Sequence, residues 1–175
     1  MLAALHRENP APPFRPNPSM SSHAGLHRNI DPYYTFPAVR AIKNLVRDLP
    51  LRTSALRCLG GYANIFALES MMDELARHTD ADPVAFRLRH LDDPRARNVI
   101  EAAADGIGWS KDRDDGVGRG IAFSRYCNCK TYTAIAIELT VNDVAEIEIC
   151  KAVCAADAGE VVDAAGLSMQ LEGGV

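Results

Sequence analysis

Apolar and polar positions change period once along this chain, and the change divides it. In the first part, Ile65, Leu68, Met72 and Leu75 recur at steps of three and four. That spacing gathers them on one helix face, with Glu69, Asp73, Glu74 and Arg77 elsewhere on the wheel. Asn64 is the predicted N-cap. Two further helices are predicted from Asp82-Pro83 and Asp93-Pro94, because Asp at the N-cap followed by Pro at the first helical position is a start signal. In the second of these, Val99, Ile100, Ala103 and Ile107 form the predicted buried face, and Gly106 or Gly108 ends it. After the polar stretch "SKDRDDGVG" the period falls to two. Thr133, Ile135, Ile137, Leu139 and Val141 share one strand face; Ala134, Ala136, Glu138 and Thr140 share the other. Asn142-Asp143 signals a turn, and residues 144–154 continue as a second strand with Ile147, Ile149 and Val153 facing inward. "GRGIAFSRY" supplies a third strand. Helices followed by an antiparallel strand meander make the α+β class.

The flanks are less regular. Residues 1–32, with "ENPAPPFRPNPSMSSHAG", lack an apolar period and are expected to be poorly ordered, so His23 and His27 read as solvated. Residues 33–175 form the expected folded unit. "YYTFPAVRAIKNLVRDLPL" is bracketed by Pro37 and Pro50, which leaves room for one element, an extended strand or a short amphipathic helix. The tail runs through small residues to Gln170 and Gly173-Gly174 and stops there.

Composition narrows the functional classes. The 175 residues are 47% hydrophobic and 24% charged, as in an ordinary globular protein. A net charge of −4 and no basic block argue against a nucleic-acid partner. No run approaches the ~18 apolar residues of a membrane span, and "MLAALHRENP" is too short in its apolar part to be a signal peptide. A cytoplasmic location is therefore expected, with a periplasmic one open where a partner carries the export signal. The five cysteines, Cys58, Cys127, Cys129, Cys150 and Cys154, read as reduced thiols. Cys127-x-Cys129 and Cys150-x₃-Cys154 are not knuckle spacings and no histidine lies near, so no metal ligand is assigned.

The candidate chemistry sits in "LRCLGGYANIF". Arg57 followed by Gly60 and Gly61 at the mouth of a helix suits an anionic or polar group, because helix N-termini present unpaired N–H groups. The loop also reads simply as a glycine corner with Arg57 in a surface ion pair.

The run "LRCLGGYANIFALESMMDELARHTDADPVAFRLRHLDDPRARNVIEAAADGIGW" resembles the large, molybdenum-cofactor-binding subunit of the xanthine dehydrogenase/aldehyde oxidase family, in its isoquinoline and nicotinate dehydrogenase-like branch. "GRGIAFSRYCNCKTYTAIAIELTV" and "AADAGEVVDAAGLSMQLEGGV" continue the likeness in the same order. The resemblance implies a segment of a larger molybdopterin-binding domain, in an enzyme that oxidises or hydroxylates small aldehydes or N-heteroaromatic compounds. It implies a molybdenum–pterin cofactor, iron–sulfur clusters on a partner domain or subunit, and the remainder of the large subunit as partner. It places Arg57 and the backbone of Cys58, Leu59 and Gly60 beside the cofactor, with Leu59 lining the substrate pocket where the family often has an aromatic residue. Gln170 would approach the pterin. No catalytic residue is implied within this chain, because the family's glutamate base lies beyond residue 175; Glu69 and Glu172 do not replace it. The expectation is thus a middle-to-late segment of such a subunit, inactive alone. A non-catalytic α+β interaction module that no longer holds cofactor is the other reading.

Overall fold

The computed structural model describes residues 25–44, 56–112 and 114–175. The elements run α1 (Gly60–His78), α2 (Pro83–Arg89), α3 (Pro94–Ile107), β1 (Val117–Arg125), β2 (Tyr132–Val141), β3 (Ile147–Asp157) and α4 (Ala164–Glu172). The class is α+β, as the change of period implies.

The two Asp-Pro helices start as expected. Asp82 accepts the Ala85 N–H and opens α2, and Asp93 accepts the Arg95 N–H and opens α3. Gly108, left-handed at φ 80°, ends α3. Gly106 stays helical for a different reason: a Cβ there would lie 2.8 Å from Val153 Cγ1, so its absence lets α3 approach β3. Helix α1 departs from expectation. It begins at Gly60, with Leu59 at the cap position and no side-chain cap. Asn64 lies inside the helix, where its Nδ2 donates to the carbonyls of Leu26 and Arg28 at 3.0 and 2.8 Å. The amide is captured by a neighbouring segment and so does not cap its own helix.

The sheet has the order β1-β2-β3, antiparallel throughout. Ile121 and Phe123 of β1 lie opposite Ala136 and Ala134 of β2, and this face packs beneath α3. The alanines are fully buried; small side chains let the helix sit close. Ile135, Ile137 and Leu139 point to the other face. Between Glu138 and Leu139 the pairing with β3 slips, so that Glu138 faces Lys151 and Leu139 faces Ile149, leaving Cys150 as an extra residue. The bulge reverses which side of the sheet each β3 residue occupies. Val153 therefore packs against the α3-side core, whereas Ile147 and Ile149 share the opposite face with Val141 and Leu139 and are 68% and 62% exposed. The expectation that all three face inward fails on this inserted residue.

Two segments were read differently in sequence. Residues 33–44 form neither helix nor strand, although Tyr34 is buried and stacks edge-on against Phe123; the rest of that stretch, 45–50, lies outside the described residues. The small-residue tail forms α4, opened by Asp163, which accepts the Gly166 N–H.

One buried polar hub ties the helices to the sheet. Glu69, expected on the polar side of α1, is buried, and its carboxylate accepts from Tyr34 Oη at 2.8 Å, Arg87 Nε at 2.9 Å and the Phe123 N–H at 2.9 Å. Arg87, fully buried, also donates to the Glu69 carbonyl and to Asp73. Burial pushes the Glu69 carboxyl above the ordinary range while the Arg87 guanidinium pulls it down. Every oxygen of Glu69 is committed, so its role is structural, as its place in the helix cluster suggests.

Candidate functional site

The Arg57 loop is shaped from three places in the sequence. Cys58 and Leu59 both adopt left-handed backbone, at φ 69° and 53°, a conformation that costs a non-glycine residue. Residues 25–29 pack directly on this loop: a Cβ on Gly60 would lie 2.1 Å from the Leu26 carbonyl oxygen. The glycine is required by this chain's own backbone. On the next residue, a Cβ at Gly61 would meet the Tyr126 ring at 3.2 Å and Asn29 Oδ1 at 3.3 Å.

Asn29 is the clamp. Its Nδ2 donates to the Arg125 carbonyl and to Asn128 Oδ1, and its Oδ1 accepts the Cys127 N–H at 2.9 Å. That holds the turn Tyr126–Asn128, in which Cys127 and Asn128 are again left-handed at φ 56° and 55°, against the start of α1. Beside it, Arg28 donates from Nη1 to Cys127 Sγ and lies over the Tyr126 ring, 5.5 Å from its centroid. Arg28 Nε is buried without a hydrogen-bond partner among the described residues.

Arg57 is exposed and makes no ion pair or hydrogen bond among the described residues. Cys58 is exposed, and Leu59 and Gly60 are half-buried. Gln170 lies on α4, exposed. Helix α4 borders Ala152 and Cys154 of β3, and Cys154 lies opposite Ile135, on the face that does not meet α3. The structure thus groups Arg57, Cys58, Leu59 and Gly60 and sets Gln170 on a separate element. Sequence reasoning missed Arg28, Asn29 and Tyr126–Asn128 as site neighbours, and no local pattern around them signals the role.

All five cysteines are free, and among the described residues no group of three or more His, Cys, Asp or Glu side chains could hold a metal ion. Among them too, no helix is long and apolar enough to cross a membrane.

What such a loop can hold follows from its donors. Two guanidiniums, one with an unpartnered Nε, stand beside the start of α1, which no side chain caps, whereas α2, α3 and α4 each open on a capping aspartate. Helix starts without a cap leave N–H groups available to anionic oxygens, although at α1 the Gly61 N–H is already held by the Cys58 carbonyl at 2.9 Å. The set fits an oxyanionic, phosphorylated cofactor.

Comparison with known proteins bears on the same residues. Residues 15–91 match the family described as the molybdopterin cofactor-binding domain. The chain is 32% identical over 160 residues to a nicotinate dehydrogenase subunit of Pseudomonas putida, covering 82% of this chain and 13% of that protein. It is 35% identical over 115 residues to the beta subunit of isoquinoline 1-oxidoreductase of Brevundimonas diminuta, covering 63% of this chain and 14% of that one. The chain therefore spans about one-seventh of the length of these relatives. By these matches its sequence is similar to a partial segment of the large, molybdenum-cofactor-binding subunit of the xanthine dehydrogenase/aldehyde oxidase family, in the nicotinate and isoquinoline dehydrogenase-like branch.

Proposed function

We propose that this chain is a segment of a molybdenum-cofactor-dependent oxidoreductase or hydroxylase acting on small aldehydes or N-heteroaromatic compounds, and that it does not turn over substrate alone. The observation that carries this reading is the Arg57 loop: an exposed guanidinium, unpaired among the described residues, at an uncapped helix start within the stretch that matches a molybdopterin cofactor-binding domain. Arg57 and the backbone N–H groups of Cys58 and Gly60 would hold anionic oxygens of the cofactor, with Arg28 as a second cation behind them, while the Leu59 N–H is held by the Leu56 carbonyl at 3.0 Å. When bound, such a cofactor supplies two-electron oxidation of a substrate carbon with oxygen drawn from water. Leu59 would line the substrate side with an aliphatic surface. Gln170, exposed on α4, would hydrogen-bond the pterin from an element separate from the Arg57 loop. Iron–sulfur clusters on a partner subunit and the remainder of the large subunit complete the proposal.

The test places this segment within a complete homologous large subunit and compares the parent with Arg57→Ala. Molybdenum per folded subunit, read by elemental analysis, should fall about tenfold, the value of a charge-assisted contact to an oxyanion. Unchanged metal content would remove Arg57 from the site. A second reading, a non-catalytic interaction module, is favoured by one feature, the uncovered apolar sheet face around Ile147 and Ile149. Genomic sequence on both sides distinguishes the two: flanking halves of a large subunit support the first, unrelated genes the second.

A further inference from the structure

Where the end of β1, the start of β2 and the end of β3 meet, an open cleft of about 310 Å³ is lined by Arg95, Arg125, Lys130, Tyr132, Asp157 and Gly159. Two guanidiniums are confined to one buried ring there: the Cζ atoms of Arg125 and Arg95 lie 4.1 and 4.7 Å from the Tyr132 centroid. Arg95 gives Nε and Nη2 to the two oxygens of Asp157, at 2.7 and 2.6 Å. Among the described residues Arg125 faces no carboxylate directly. Its Nε donates to the Lys130 carbonyl at 3.2 Å and its Nη1 to Tyr33 Oη at 2.7 Å. Tyr33 and Tyr132 in turn donate their hydroxyls to Asp93 Oδ2. Three cations thus share the lining with one carboxylate, and a second carboxylate stands behind the tyrosines. Arg95 Nη1, Arg125 Nη2 and the Lys130 ammonium have no partner among the described residues.

That is a local positive excess in a chain of net charge −4. A cleft whose lining carries an excess of one sign of charge concentrates the opposite ion. The unused donors are three, and two belong to planar guanidiniums that recognise oxyanions by geometry as well as charge. A carboxylate offers two acceptors and one charge, and Asp157 already supplies one. A phosphoryl group offers three acceptors and up to two charges. We propose that this cleft binds a phosphoryl oxyanion. It is separate from the Arg57 loop and does not depend on the cofactor reading.

The experiment is calorimetric titration of the full 175-residue chain carrying Arg57→Ala, so that the cofactor loop adds no phosphate signal, with inorganic phosphate, and with acetate at matched ionic strength as the second arm. Saturable one-site binding of phosphate is expected, with acetate about tenfold weaker. Lys130 is exposed and makes no side-chain hydrogen bond or ion pair among the described residues, so Lys130→Glu should leave the far-ultraviolet circular dichroism unchanged and abolish the phosphate signal. The proposal is overturned by phosphate binding in the Arg57→Ala chain that survives the added Lys130→Glu, by equal affinity for acetate, or by no saturable binding in the Arg57→Ala chain.

Discussion

At the scale of residues, two arginines differ in what they hold. Arg87 is fully buried and holds Glu69, which also accepts from Tyr34 and Phe123. Removing one partner of a buried pair leaves the other charge uncompensated, so Arg87→Ala should cost about 3–5 kcal/mol in chemical denaturation. Arg57 is exposed and unpaired among the described residues, and Arg57→Ala should change stability by no more than about 0.5 kcal/mol. A comparable loss of stability in both variants would make Arg57 structural. Acid brings out a second pair. The Arg95 fork holds the Asp157 carboxyl down to about 2. A depressed carboxyl means that the folded chain binds fewer protons than the unfolded one between that value and the usual carboxylate range. The contribution is therefore present above the unfolded value of about 3.9 and lost as pH falls through the folded one. Carboxyl titration followed by NMR should show Asp157 returning toward the ordinary range in Arg95→Gln.

Among the elements, what is legible in the sequence is what adjacent residues encode. Asp-Pro specifies a cap and a fixed φ within two positions, and α2 and α3 begin where those pairs stand. The start of α1 is not legible, because what fixes it is the Leu26 carbonyl against Gly60 and the Asn29 clamp, both far away in sequence. Alternation locates β3 but misassigns Ile147 and Ile149, since one inserted residue, Cys150, inverts the pattern without leaving a glycine or proline to mark it. Of the candidate site, Arg57 and its loop are legible through resemblance; Arg28 and the Tyr126–Asn128 turn join only in three dimensions. Element packing gives its own prediction. Gly106→Val should destabilise by about 1–3 kcal/mol, since its Cβ would press on Val153, and Val153→Ala in the same chain should recover part of the loss. Met72→Ala, at a fully buried position on α1, should cost about 2–5 kcal/mol, whereas the same change at half-buried Leu68 should cost about 1 kcal/mol.

For the whole molecule, the sheet has one face under α3 and another on which Val141, Ile147 and Ile149 stay exposed. Uncovered apolar surface of this kind invites association. The chain expressed alone should sediment with a concentration-dependent average mass, and Ile147→Glu with Ile149→Glu should shift it toward monomer. A monodisperse parent at all concentrations would show that the face is harmless.

The Asn29 clamp carries a consequence in time. Its contacts with Arg125, Cys127 and Asn128 span 96 to 99 residues of chain. Closing a loop of that length costs ~4 kcal/mol of chain entropy beyond a constant, so the contact forms late, after local helices are already favourable. A nascent chain emerging N-terminus first can coil α1 long before the turn that braces its beginning exists. Synthesis halted short of residue 126 should yield α1 without the left-handed Cys58-Leu59 bend held against its partners, and amide exchange at Gly60 and Gly61 should be fast there and slowed once residue 129 has emerged. The ligand competence proposed for this loop would then be acquired by the chain at a definite length, with the helix serving as a waiting scaffold until then.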